Sequence, residues 1–120
     1  MTRVAVLAED DRHIGVLVEF ALEPLGLVVE RFADGEAALA RVRQAPRPDV
    51  VILDLMLPRL SGQEVLAALD GDPRLAGVPV LLLSARQLPG DLMRASGPLA
   101  FLAKPFDVDD LVRVVADLLT

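Results

Sequence analysis

The sequence predicts an α/β fold, a parallel five-stranded sheet with helices on both faces, on three observations. Short apolar runs recur along the chain, mostly without the polar alternation of a half-exposed strand. Between them lie stretches whose apolar residues repeat at helical spacing. Four of the runs also stop abruptly on a polar residue: Glu9, Asp54, Ser84 and Lys104. Strands that alternate with helices in this way build βαβ units.

Taken in order, Val4–Ala8 is the first strand, ended by Glu9, Asp10 and Asp11. Ile14, Leu17, Val18, Ala21, Leu22 and Leu25 then form one helical stripe, closed by Pro24 and Gly26, with Asp11 as the expected cap. Leu27–Phe32 is the second strand. Asp34 caps an alanine-rich helix that runs to about Gln44, where Pro46 and Pro48 stop it. Val50–Leu53 is a β-branched run suited to a strand covered on both faces, and it ends on Asp54.

Pro58 and Gly62 shape the next loop. Ser61 and Glu64 have capping-box spacing and start a helix to about Asp70. Gly71, Asp72, Pro73 and Gly77 form a loop before a strand from Val78 to Ser84. Pro89 and Gly90 sit where a helix is wanted, so residues 86–96 are expected to form one short or irregular turn. Leu99–Ala103 is the fifth strand, followed by Lys104 and Pro105. Val108, Leu111, Val112, Val115, Leu118 and Leu119 line a last helix, with Asp107 as its cap. Asp109 and Asp110 suit that helix's dipole.

At 120 residues, one domain spanning 1–120 is expected, with no output domain. The chain is 53% hydrophobic, yet no apolar run approaches the roughly 20 residues of a membrane span. The N-terminus lacks signal-peptide organisation, so a cytoplasmic protein is expected. The absence of cysteine excludes disulfides, thiolate metal sites and a thiol nucleophile. A net charge of −6 argues against direct binding to a phosphate backbone. With no Trp or Tyr, a stacking platform for single strands is missing as well.

In a parallel sheet all the strand tips lie along one edge. With the flavodoxin-like doubly wound order 2-1-3-4-5, the third strand lies beside the first at the topological switch point. Glu9, Asp10 and Asp54 would converge there, with the Ser84 hydroxyl and the Lys104 ammonium opposite. Three clustered acids repel, so at least one has a raised pKa unless a cation neutralises them. Hard oxygen ligands of this kind suit magnesium (Mg2+). The chemistry implied is in-line phosphoryl transfer to the carboxylate of Asp54.

At these residues the chain resembles the response-regulator receiver domains of bacterial two-component systems, over about residues 3–119. The matching pieces are Ala8-Glu9-Asp10-Asp11, the run from Asp49 to Gly62, the run from Val78 to Ala85, and Phe101 to Phe106. The resemblance implies that Asp54 is the phosphoacceptor. It makes Asp10 a direct magnesium ligand, Glu9 a ligand through water, and the Met56 backbone carbonyl a further ligand. Ser84 and Lys104 would grip the phosphoryl group, assisted by the Ala85 amide. Phe101 falls at the family's aromatic switch position, where an inward turn would accompany movement of Ser84, although a plain core role competes with that. Met56 and Arg86, two residues beyond Asp54 and Ser84, would influence how long the phosphoryl group survives. His13 is expected to be structural or exposed.

The implied function is two-component signal transduction rather than enzyme catalysis. A histidine kinase or histidine phosphotransfer protein is the expected donor, and no nucleic acid or membrane is bound by this domain. Phosphorylation would switch the surface of the fourth helix, fifth strand and last helix, which is also the face of a possible homodimer. The span from Ser84 to Lys104 is shorter than usual in the family. Leu99 and Ala100 stand where one subfamily has an acidic pair, so self-association there would be apolar. The alternative is a pseudo-receiver, an interaction module that works without phosphate; the complete acid set with Lys104 weighs against it. A haloacid-dehalogenase-like phosphatase would need an acid where Met56 stands. A flavin site would be repelled by Glu9, Asp10 and Asp11.

Overall fold

The computed structural model describes residues 3–85 and 97–120. The expected turn at 86–96, with Arg86 in it, lies outside the described residues. The elements are β1 (Arg3–Ala8), α1 (Arg12–Leu22), β2 (Leu27–Phe32), α2 (Gly35–Val42), β3 (Val50–Asp54), α3 (Gly62–Asp70), β4 (Val80–Ser84), β5 (Leu99–Ala103) and α4 (Val108–Leu118). The strands form one sheet of order β2-β1-β3-β4-β5, and every pairing is parallel. This is the expected doubly wound, flavodoxin-like arrangement.

The continuous apolar runs exist because successive side chains point to opposite faces and both faces are covered. Val6, Ala8, Leu53 and Leu82 pack under α2 and α3 with Leu39, Val42, Val65 and Leu69. Leu7, Ile52, Leu81 and Leu83 pack on the other side with Val18, Leu22, Leu111 and Val115 of α1 and α4. β3 and β4 are buried along their whole length, whereas the edge strand β5 is only half-buried.

Several local expectations hold in detail. The Asp11 carboxylate accepts from the amides of His13 and Ile14, Asp34 accepts from Ala37, and Ser61 and Glu64 close a capping box. Others need correction. Helix α1 stops at Leu22 and a 3-10 turn carries Glu23–Leu25, because Pro24 has no amide hydrogen to continue the α ladder. The loop after α3 also contains a 3-10 turn, Pro73–Leu75, capped by Asp72. Strand β4 begins at Val80 rather than Val78. Asp107 occupies the N-cap position of α4, but its side chain accepts no capping hydrogen bond.

Candidate functional site

The site is built at the C-terminal edge of the sheet by strand register. Ala8 pairs with Leu53 and Asp54 with Leu83, so Glu9 and Asp10 follow β1 next to the tip of β3. Ser84 pairs with Ala103, and the Lys104 amide donates to the Ser84 carbonyl at 2.8 Å. Register alone therefore delivers four strand tips to one place. Glu9, Asp54 and Ser84 are the only polar or charged groups buried among the described residues.

Lys104 reaches across this edge. Its Nζ donates to Asp54 Oδ2 at 2.9 Å and to Glu9 Oε1 at 2.5 Å. The pairing with Glu9 joins residues ninety-five positions apart in the chain. Glu9 also accepts from the Asp11 amide at 3.2 Å. The amide of Met56 donates to Asp54 Oδ1 at 2.9 Å, so both oxygens of the expected acceptor are engaged. The Met56 side chain stands in solvent, 52% exposed.

The electrostatics follow from burial and these bonds. Burial pushes the Glu9 carboxyl up to about 7, against the opposing hydrogen bond from Lys104. Burial acts on Asp54 as well, but there the Met56 amide and the Lys104 ammonium win, and its pKa lies below the ordinary value. Lys104 loses hydration on burial, yet its two carboxylate partners raise its pKa. Asp54 is thus held ionised while Glu9 carries the strain of the crowded acids.

One carboxylate oxygen from each of Glu9, Asp10 and Asp54 lies within 4.8 Å of the others. A donor set of carboxylate oxygens at such spacing fits a hard divalent cation. Asp10 is exposed, unlike the other two, and offers the open side of the set. Beside it a hollow of about 350 Å³ is bounded by Glu9, Asp10, Arg12, Arg31 and Phe32.

Phe101 is half-buried and packs against the core beneath α2 and α3. His13 is exposed, and its amide serves only the cap of α1. Two glycines escaped attention as site residues. A Cβ on Gly62 would lie 2.5 Å from the Asp54 carbonyl oxygen, and one on Gly35 would lie 2.0 Å from that of Leu60. The loop after β3 is therefore clamped between two helix starts that tolerate no side chain. The glycine opening each helix was the available signal, but it does not reveal what approaches.

Known proteins are similar to this chain in sequence and in fold. The family profile described as response regulator receiver domain matches residues 5–116. The DNA-binding dual master transcriptional regulator RpaA of Synechocystis sp. is 38% identical over 121 residues, which cover 99% of this chain and 49% of that protein. The chain spans about half the length of the curated relatives it matches first. Chemotaxis response regulator CheY4 of Vibrio cholerae superposes with a TM-score of 0.86 at 28% identity, covering 98% of this chain and 99% of that one. The receiver domain of sensor histidine kinase PA1611 from Pseudomonas aeruginosa superposes at 0.84 and 28% identity over 99% and 98% of the two chains. That structure holds a magnesium ion coordinated in its active-site cleft.

Proposed function

Because this chain belongs to the response-regulator receiver domain family, we propose that it accepts a phosphoryl group on Asp54 from the phosphohistidine of a histidine kinase or phosphotransfer protein. The observation that carries the reading is the single ammonium of Lys104 held against both Glu9 and the ionised Asp54. An Asp54 carboxylate oxygen attacks phosphorus in line, the bond from phosphorus to the imidazole nitrogen breaks, and that nitrogen keeps the electron pair. The product is an aspartyl phosphate. Lys104 can follow the charge by passing from the carboxylate to a phosphoryl oxygen, and Ser84 can donate to another. Asp10 and Asp54 with the Met56 carbonyl, and Glu9 through water, would hold a magnesium ion that offsets the negative charge gathered there.

The domain then acts as a switch rather than as an enzyme turning over a substrate. Phosphorylation draws Ser84 toward the phosphoryl group and lets Phe101 turn inward, which biases the β5 and α4 face between two states. That face is also the proposed homodimer surface, with Leu99 and Ala100 giving it apolar character. The exposed Met56 shields the acyl phosphate from water, and Arg86 acts on its lifetime. No helix among the described residues is long and apolar enough to cross a membrane; the proposed setting is the cytoplasm. A phosphate-independent interaction module would have no use for the complete acid set with Lys104.

The test is incubation with acetyl phosphate and magnesium followed by intact mass. One phosphoryl adduct is expected on the wild type, none on Asp54→Ala, and none when magnesium is chelated. An unmodified wild type, or an equal adduct on Asp54→Ala, would overturn the assignment.

A further inference from the structure

The hollow of about 350 Å³ beside Asp10 is lined by two guanidinium groups as well as by acids. It opens where the tips of β1 and β2 meet the first turn of α1. Arg31 stands in that lining already committed. Its Nε pairs with Glu19 at 2.9 Å, and its Cδ and Nη1 lie where a Cβ on the buried Gly15 would come within 3.0 Å of each. That side chain ties β2 to α1, and its charge is met.

Arg12 is not committed. It is the first residue of α1, it is exposed, and its side chain has no hydrogen bond or ion pair among the described residues. The position is also electrostatically poor. A helix start carries partial positive charge, which favours acids in the first turn and opposes a cation. The first turn of α1 contains no acid, and the cap Asp11 turns its Oδ1 to the amides of His13 and Ile14. A cation kept against the local field, without a partner and on the wall of a reactive hollow, is the kind of broken local rule that marks a functional position.

What Arg12 can meet there is limited by charge. Glu9 and Asp10 share the hollow, but Arg12 pairs with neither, and a divalent cation on those acids would offset their charge. A guanidinium fork matches the oxygens of an entering phosphoryl group. Resting on the reading of Asp54 as phosphoacceptor, we propose that Arg12 is a phosphodonor-binding residue, drawing the anionic phosphoryl oxygens of the donor to the mouth of the hollow. The same positive charge opposes a cation on Asp10. One side chain therefore speeds phosphoryl capture and weakens magnesium binding, two effects of opposite sign.

Both effects are read on Arg12→Gln. Magnesium affinity is measured by isothermal calorimetry on the unphosphorylated protein. Labelling by acetyl phosphate at saturating magnesium is followed by intact mass. Arg12→Gln should be labelled about threefold more slowly and should bind magnesium about twofold more tightly. Arg12→Lys should restore both toward the wild type. Arg3→Gln makes the same charge change at the far end of β1 and should alter neither. The melting temperature of Arg12→Gln should equal or exceed that of the wild type, because an opposed cation has left the helix start.

The proposal is overturned if Arg12→Gln is labelled as fast as the wild type, or if Arg3→Gln reproduces its changes. Magnesium binding that weakens along with labelling, a lowered melting temperature, or no rescue by lysine would assign Arg12 to the fold and overturn it too. A wild type that accepts no phosphoryl group sinks the reading of Asp54 itself. A labelled wild type beside an equally labelled Arg12→Gln sinks only the role of Arg12.

Discussion

Glu9 Oε1 lies 2.5 Å from Lys104 Nζ, and the same ammonium lies 2.9 Å from Asp54 Oδ2. One cation therefore serves two buried carboxylates, and the two respond differently. Asp54 has a second donor in the Met56 amide and stays below its ordinary pKa, while Glu9 rises to about 7.

That asymmetry has a pH signature. The folded-state pKa of Glu9 lies above the 4.5 of an unperturbed glutamate. Between those values the native state keeps a proton that the unfolded chain has lost, so stability falls as pH rises from about 4.5 to 7. Thermal melts of metal-free protein should show this decline, on the order of 3 kcal/mol. Glu9→Gln should flatten it; an unchanged slope would refute the assignment to Glu9. Magnesium binding should tighten over the same pH interval and release protons, readable by calorimetry in buffers of different ionisation enthalpy.

Lys104→Met tests the shared ammonium directly. Removing it leaves Glu9 and Asp54 facing each other without a cation, which should cost on the order of 3 kcal/mol at pH 7.5 in chelator. The deficit should shrink toward pH 5, where Glu9 takes up a proton. A deficit independent of pH would mean that lost packing dominates. Lys104 is the sole lysine of the chain, so amine labelling other than at the N-terminus reports on its engagement.

Gly62→Ala should damage both stability and phosphorylation. Its Cβ would lie 2.5 Å from the Asp54 carbonyl oxygen and 2.8 Å from the Cα of Leu55, and neither is a side-chain end that can swing away. The expected cost is on the order of 2 kcal/mol or more. Denaturant unfolding measures that cost, and acetyl phosphate labelling should slow because the backbone carrying Asp54 must shift.

Arg59→Gly should act the other way. Arg59 has φ 68°, a left-handed conformation that disfavours any Cβ, in the loop that follows β3. Relief of about 1 kcal/mol is partly offset by the greater chain entropy of glycine when unfolded. A net gain of about 0.5 kcal/mol is expected in chemical denaturation. A loss would show that the exposed guanidinium makes a contribution the backbone strain conceals.

Much of this molecule is legible before any folding is considered. The runs around Val6, Ile52 and Leu82 are apolar at every position because both faces of a parallel sheet are covered. The stripe from Ile14 to Leu22 follows from helical spacing, and the caps at Asp11, Asp34 and Ser61 act within three residues. Polar residues that end such runs must reach the same sheet edge, which is why Glu9, Asp10, Asp54, Ser84 and Lys104 could be grouped as one site. These are consequences of local geometry and period, and the sequence carries both.

What the tertiary structure decided depends on the stagger of neighbouring strands and on atoms distant in the chain. Which carboxylates Lys104 would hold, and that Glu9 rather than Asp54 would bear the raised pKa, turned on register and burial differences of a few ångströms. The approach of the Leu60 carbonyl to Gly35, and the gathering of Arg12 and Arg31 beside Asp10, likewise join segments that no periodicity relates. Side-chain pairing across a fold is settled by packing, because reach and desolvation exist only once the elements are in place.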